Sequence, residues 1–206
     1  MINQCQRPSG LPGRFVLWSM NSRHSKVTDW GLAHVAVGKS DTILDVGCGG
    51  GRTVSKLAAI ASEGKVYGVD HSEESVTASK KANAREIDAG RVEIRQGSVS
   101  QLPYSDGVFD LVTGVETHFW WPDLCGDMRE VFRVVKPCGT LLLVAEIYGG
   151  ATTKAGQLAD KYAARTGMKL LSVEEHRELL EGAGFSEVRV VVQAGKGWIC
   201  AFGRKR

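Results

Sequence analysis

Ile43-Leu44-Asp45-Val46-Gly47-Cys48-Gly49-Gly50-Gly51 decides how this chain folds: an apolar run carries a carboxylate near its end and passes straight into a glycine-rich turn. Val66-Tyr67-Gly68-Val69-Asp70 repeats the pattern, a second apolar run closed by a second carboxylate. Glycines at a strand-to-helix turn accept positive φ and carry no Cβ, so the backbone there can approach a ligand closely. The two segments predict a βαβ unit with a nucleotide-like ligand at the end of its strands.

Asp45 decides which ligand. A dinucleotide would seat its pyrophosphate against the helix N-terminus just after the turn, where a neighbouring carboxylate is unwelcome. S-adenosylmethionine has no phosphate and brings an α-ammonium and a sulfonium, which the same carboxylate attracts. The glycine spacing agrees, because a G-x-G-x-x-G fingerprint begun at Gly47 needs glycine where this chain has Arg52. Asp70 falls about twenty residues beyond the turn, the distance at which an acidic side chain meets ribose hydroxyls in Rossmann-like sites.

ILDVGCGGGRT (43–53) followed by VYGVDHSEESV (66–76) resembles motifs I and II of the class I S-adenosylmethionine-dependent methyltransferases. VEIRQGSVSQLPYSDGVFDLV (92–112) is similar to the third and fourth segments of that family, and EVFRVVKPCGTLLLVAE (130–146) to its fifth strand with the preceding helix and turn. The resemblance runs from about Thr42 to Glu146, with an echo in LLEGAGFSEVRVV (179–191), and is of the small type 11/25-like kind. It implies a Rossmann-like, mostly parallel α/β sheet of seven strands whose C-terminal hairpin adds an antiparallel strand.

The bulk properties are compatible. With 206 residues, 43% hydrophobic and 24% charged, the chain suits one compact α/β domain. A net charge of +3 does not point to nucleic acid, and Arg204-Lys205-Arg206 reads as a solvated end. Cys5, Cys48, Cys125, Cys138 and Cys200 form no C-x-x-C pair, which speaks against a zinc ribbon or disulfide framework. The first residues lack the apolar core of a signal peptide, and no apolar run reaches the ~18 residues of a membrane span. A cytoplasmic location with no membrane partner is the expectation; oligomeric state is not encoded legibly.

From Thr42 onward, short β-branched runs alternate with amphipathic stretches, the pattern of βαβ units. Strands are predicted at 41–46, 65–70, 91–96, 109–115, 139–147, 186–193 and 197–203, and helices at 50–62, 73–89, 122–135, 153–165 and 172–182. Val27, Trp30, Gly31, His34 and Val37 recur at helical spacing and predict one more helix. Residues 1–40 are assigned to an N-terminal helical lid and 41–206 to the cofactor-binding domain. The resemblance implies that such a lid covers the cofactor and lines the acceptor pocket, which nominates Trp18, Met20 and His24.

Asp45, Gly47, Gly49 and Asp70 are the expected cofactor contacts, with His71 placed to stack near the adenine. Gly97-Ser98-Val99 occupies the place where the family usually has glycine and then aspartate, so Ser98 and the backbone of Val99 are the implied adenine contacts. A neutral hydroxyl there makes a weaker bond than a carboxylate. After the fourth strand comes Gly114-Val115-Glu116-Thr117-His118-Phe119-Trp120-Trp121. If the extended course persists, Glu116 and His118 project to one side, where a carboxylate and an imidazole could take the proton of a methyl acceptor; Glu116 could equally hold the cofactor's amino group. Trp120, Trp121 and Tyr148 complete the expected substrate pocket. Glu116, His118 and Glu146 are too few and too scattered to predict a metal.

These readings converge on a methyltransferase that passes the sulfonium methyl to a small-molecule nucleophile by in-line displacement. Position 115–118 reads Val-Glu-Thr-His and lacks the Asn-Pro-Pro-Tyr-like tetrapeptide of base and amide methylators, which favours a small acceptor. The competing readings are a nicotinamide oxidoreductase on a similar fold and a non-catalytic S-adenosylmethionine-binding module.

Overall fold

The computed structural model describes residues 25–206. Five strands run parallel: β1 (Thr42–Val46), β2 (Lys65–Asp70), β3 (Val92–Gln96), β4 (Phe109–Val115) and β5 (Val135–Ala145). β6 (Ser186–Gln193) and β7 (Trp198–Arg204) form the C-terminal hairpin, and β7 lies antiparallel to both β5 and β6. The seven strands lie in the order β3-β2-β1-β4-β5-β7-β6, the Rossmann-like arrangement expected from the sequence. Strand order reverses between β1 and β4, and in open α/β sheets ligands bind beyond the carboxyl ends of the strands at such a switch point. Asp45 and the glycine turn stand at that place.

Alternation along each strand divides the core into two layers. Leu44 joins Phe109, Met128, Leu141 and Leu180 on one face, while its neighbour Ile43 joins Val54, Leu57, Val66 and Leu142 on the other. All of these side chains are essentially inaccessible to solvent, and each large one stabilises the fold by about 1.5–3 kcal/mol relative to exposure. Helices cover the layers: α1 (Ser25–Leu32), α2 (Arg52–Ile60), α3 (Glu73–Ala82), α4 (Ala84–Asp88), α5 (Leu124–Val134), α6 (Lys154–Thr166) and α7 (Val173–Gly182). α1 belongs to the stretch assigned to a lid, yet Val27 and Leu32 pack in the layer of Ile43, and Gly31 sits so close to Val144 that a Cβ there would lie 2.3 Å from it.

The local signals at the helix ends are those physics favours. Ser72 accepts a hydrogen bond from the Ser75 N–H at 3.3 Å, with Glu73 and Glu74 in the first turn of α3 and Lys80 and Lys81 in its last. Ser172 and Glu175 form a reciprocal capping box on α7.

Three larger departures from the sequence reading concern element boundaries. The single helix expected over 73–89 breaks at Asn83, whose backbone (φ −114, ψ 19) leaves the helical region. The N-terminal helix stops at Leu32 rather than continuing to Val37. β5 starts at Val135, four residues early, because Phe109 pairs with Val135 before the register shifts to Leu111 with Thr140. β4 ends at Val115, as read from the sequence, and the condition that the extended course persist to His118 is not met, because a 3₁₀ turn follows.

Candidate cofactor-binding site

The glycine turn is pinned at its start by the sheet, since the Gly47 and Cys48 N–H groups both donate to the Val69 carbonyl, at 2.8 and 3.1 Å. Gly47, Gly49 and Gly51 all have positive φ, of 73, 50 and 81°. Their surroundings differ. A Cβ on Gly47 would come within 2.1 Å of Thr117 Oγ1, and one on Gly51 within 2.5 Å of Asn83 and Ser79. A Cβ on Gly49 would meet nothing nearer than the Gly47 carbonyl at 4.0 Å. The turn is therefore closed behind and open at Gly49.

Asp45 is 2% exposed and accepts a hydrogen bond from Thr113 Oγ1 on β4 at 2.7 Å. Burial pushes its carboxyl up to about 7; the Thr113 hydroxyl opposes this and the nearby Asp70 charge adds to it. Among the described residues this buried carboxylate is held by a neutral hydroxyl, which compensates its charge poorly and leaves it suited to a cationic partner. Asp70, at the end of β2, is 7% exposed. Its Oδ2 accepts the Gly49 N–H and its Oδ1 the Ser72 N–H, each at 2.9 Å. Those bonds fix the carboxylate beside the open glycine while each oxygen retains a second lone pair. The open face at Gly49, the under-compensated Asp45 and the anchored Asp70 fit a cationic ligand that carries a diol.

A second layer, absent from the sequence reading, braces the turn. Asn83 Nδ2 donates to the carbonyls of Gly51 (3.1 Å) and Ser79 (2.9 Å), and its Oδ1 accepts from Ser55 Oγ at 2.7 Å. Cys48 lies against Ser79 Oγ, and burial raises its thiol well above the usual range, which makes it a poor nucleophile.

Beyond β4 the backbone of Glu116 enters the left-handed region at φ 57°, an uncommon state for a residue with a side chain. Its N–H donates to Val144 O at 2.9 Å, and its Oε1 accepts the Glu146 N–H, so Glu116 staples the ends of β4 and β5 together. Burial, followed by the charge of Glu146, pushes its carboxyl up to about 8, against the pull of that N–H.

His118 starts a short 3₁₀ turn (118–120) and is 2% exposed. Its Nε2 lies 3.0 Å from His176 Nε2, and His176 Nδ1 lies 2.7 Å from the Ser172 carbonyl. A carbonyl only accepts, so His176 Nδ1 carries the proton. Burial holds both rings below the ordinary histidine range, for His118 with help from His176. Neutral His176 then has a bare Nε2 that accepts from His118 Nε2–H. Among the described residues His118 Nδ1 is left as a lone pair without a partner, sealed from solvent. Glu116 and His118 thus face different surroundings rather than one shared acceptor.

The remaining sequence candidates separate. His71 is exposed, with Nδ1 3.7 Å from Asp70 Oδ1. Ser98 is also exposed, and its Oγ accepts the Ser100 N–H at 3.2 Å, whereas Val99 is buried in the core. Trp121 is not a pocket wall: it is 4% exposed in the main core and donates to Thr117 Oγ1 at 3.3 Å. Trp120 and Tyr148, both half-buried, share a cluster with Phe119 and Met168. Trp18, Met20 and His24 lie outside the described residues. Among the described residues no group of three or more His, Cys, Asp or Glu is placed to hold a metal ion, and no helix is long and apolar enough to cross a membrane.

Comparison with known proteins agrees with this geometry. Residues 44–143 match the model of a methyltransferase domain. The chain is 27% identical to an O-methyltransferase of Penicillium expansum over 74% of this chain and 54% of that protein. It is also 27% identical to a demethylmenaquinone methyltransferase of Listeria welshimeri over 82% of this chain and 80% of that one. The chain spans about half the length of the first curated relatives it matches. The crystal structure of a SAM-dependent methyltransferase from Aquifex aeolicus superposes with a TM-score of 0.75 at 20% identity, covering 94% of this chain and 98% of that one. The matched domain, the strand order and the open glycine turn between two carboxylates point the same way: residues 44–143 form a methyltransferase domain, and the chain is similar to S-adenosylmethionine-dependent methyltransferases of the class I fold.

Proposed function

We propose that this chain transfers a methyl group from S-adenosylmethionine to a small-molecule nucleophile by in-line displacement. The observation that carries the reading is the turn open at Gly49, flanked by buried Asp45 and anchored Asp70. Asp45 would hold the α-ammonium, directly or through a water, and Asp70 the ribose hydroxyls. Bound there, S-adenosylmethionine supplies a methyl group already activated by its sulfonium. The protein's contribution is then mainly orientation of the two reactants.

For an acceptor that arrives protonated, Glu116 is the better-placed base, acting in its ionised form, which grows as the pH rises toward 8. It is partly exposed at the carboxyl end of β4, whereas His118 Nδ1 is sealed. The sequence likeness to an O-methyltransferase and to a demethylmenaquinone methyltransferase supports an acceptor of low molecular weight. The methyltransferase domain match favours this reading over a nicotinamide oxidoreductase. Incubation of the protein with a metabolite extract and methyl-labelled S-adenosylmethionine tests it: S-adenosylhomocysteine should accumulate together with one labelled small molecule. Binding without turnover across a broad extract would instead identify a non-catalytic module.

A further inference from the structure

The back of the glycine turn is as specifically built as its front. Asn83 is 2% exposed and stands where α3 ends and α4 begins. Its three side-chain hydrogen bonds reach three separate pieces of backbone and side chain: the turn at Gly51, the last turn of α3 at Ser79, and α2 at Ser55. Gly51 is the N-cap of α2 in the left-handed conformation, and no side chain of its own caps that end. The approach of Asn83 and Ser79 also explains why the residue there is glycine, since any Cβ would lie within 2.5 Å of both.

We infer that Asn83 is a positioning residue for the cofactor, one that holds the glycine turn in its binding shape from the side opposite the ligand. This rests on the assignment of the turn to S-adenosylmethionine. The Gly51 N–H is bound to the Cys48 carbonyl at 2.9 Å, so the segment from Cys48 to Gly51 is one small closed turn with Gly49 at its exposed side. Asn83 grips the far end of that turn through the Gly51 carbonyl, and the Val69 carbonyl grips the near end through Gly47 and Cys48. Release of one grip lets the turn sample other shapes. A ligand that binds one shape then sees its affinity fall in proportion to the fraction that retains it.

Asn83→Asp is the discriminating substitution. It preserves size and the acceptor for Ser55, but removes both N–H donors and sets a carboxylate against the carbonyls of Gly51 and Ser79. The full-length variant should bind S-adenosylhomocysteine about tenfold more weakly by calorimetry, as when the competent fraction falls to about a tenth. Exchange of the Gly51 amide should quicken by a similar factor, while amides of β1 and β2 exchange at the wild-type rate. By reciprocity, S-adenosylhomocysteine should slow exchange at Gly51 and Asn83 in the wild type. Should Asn83→Asp fail to fold, Ser55→Ala removes one bond of the three and should weaken binding by about threefold. Affinity within twofold of wild type, or faster exchange spread evenly over the sheet, would overturn the inference. Wild-type protein that binds no S-adenosylhomocysteine would instead refute the cofactor assignment itself.

Discussion

Lowering the pH from 7 to 5 should weaken binding of S-adenosylhomocysteine by about 50-fold, and the cause should reside in Asp45. The ligand-free carboxyl titrates at about 7 because it is buried, while a bound ammonium favours its ionised form. With the bound-state value returned to the ordinary carboxylate range near 4, binding must expel a proton at every pH between about 4 and 7. The sign follows: affinity is fully developed above pH 7 and is lost as the pH falls through the free-state value. At pH 6 about 0.9 proton should be released per ligand bound, a quantity that calorimetry in buffers of different ionisation enthalpy measures directly. Glu116, which titrates near 8, stays largely protonated across this window and contributes little to the slope. Asp45→Asn should abolish the proton release and flatten the pH dependence. Affinity that does not vary between pH 5 and 7, or a slope that survives in Asp45→Asn, would refute the placement of the ammonium at Asp45.

Other outcomes follow from the same geometry. Asp70→Ala should weaken cofactor binding by about 1.5–3 kcal/mol through loss of charge-assisted bonds, measurable by calorimetry; unchanged affinity would put the ribose elsewhere. Gly47→Ala and Gly49→Ala both strain a positive-φ backbone, but only the Gly47 methyl would strike Thr117, so Gly47→Ala should lower the thermal midpoint further, whereas Gly49→Ala should reduce ligand affinity beyond its smaller effect on the midpoint. His176→Ala leaves His118 Nε2–H buried without an acceptor and should cost about 1–3 kcal/mol in denaturant unfolding. Finally, Asp45 and Glu116 both titrate higher in the folded chain than unfolded, so the folded state binds more protons and ligand-free stability should fall as the pH rises from 5 to 7. Each contributes up to about 1.4 kcal/mol per pH unit. The double variant Asp45→Asn, Glu116→Gln should remove most of that slope in urea titrations at pH 5.5 and 7.5.

Most of the sheet was legible because its signals are local. Central parallel strands such as Ile43–Val46 and Val66–Asp70 are apolar on both faces and end at turns marked by glycine or a capping serine. The places of Asp45, Gly49 and Asp70 were legible for the same reason, since the strands that carry them set their positions at the carboxyl end of the sheet. Contacts between distant segments were not. His118 and His176 are 58 residues apart and meet only because α7 packs near the end of β4. Nothing in the pattern of residues 73–89 distinguishes Asn83 as a joint, since its role depends on Gly51, 32 residues earlier. The course of the chain from Glu116 to Trp121 was the least legible part, because the left-handed backbone of Glu116 is not marked by a glycine. That one turn ends the strand, directs His118 toward α7 and places Trp121 in the core.

The central claim is that the ligand lies on the open side of the glycine turn, between Asp45 and Asp70. A crystal structure of the full-length protein with S-adenosylhomocysteine tests it most directly. The account predicts ribose oxygens within hydrogen-bond distance of the Asp70 carboxylate, the backbone of Gly49 against the ligand, and the α-ammonium joined to Asp45 directly or through one water. Ligand density elsewhere, or a ribose that makes no contact with Asp70, would contradict it.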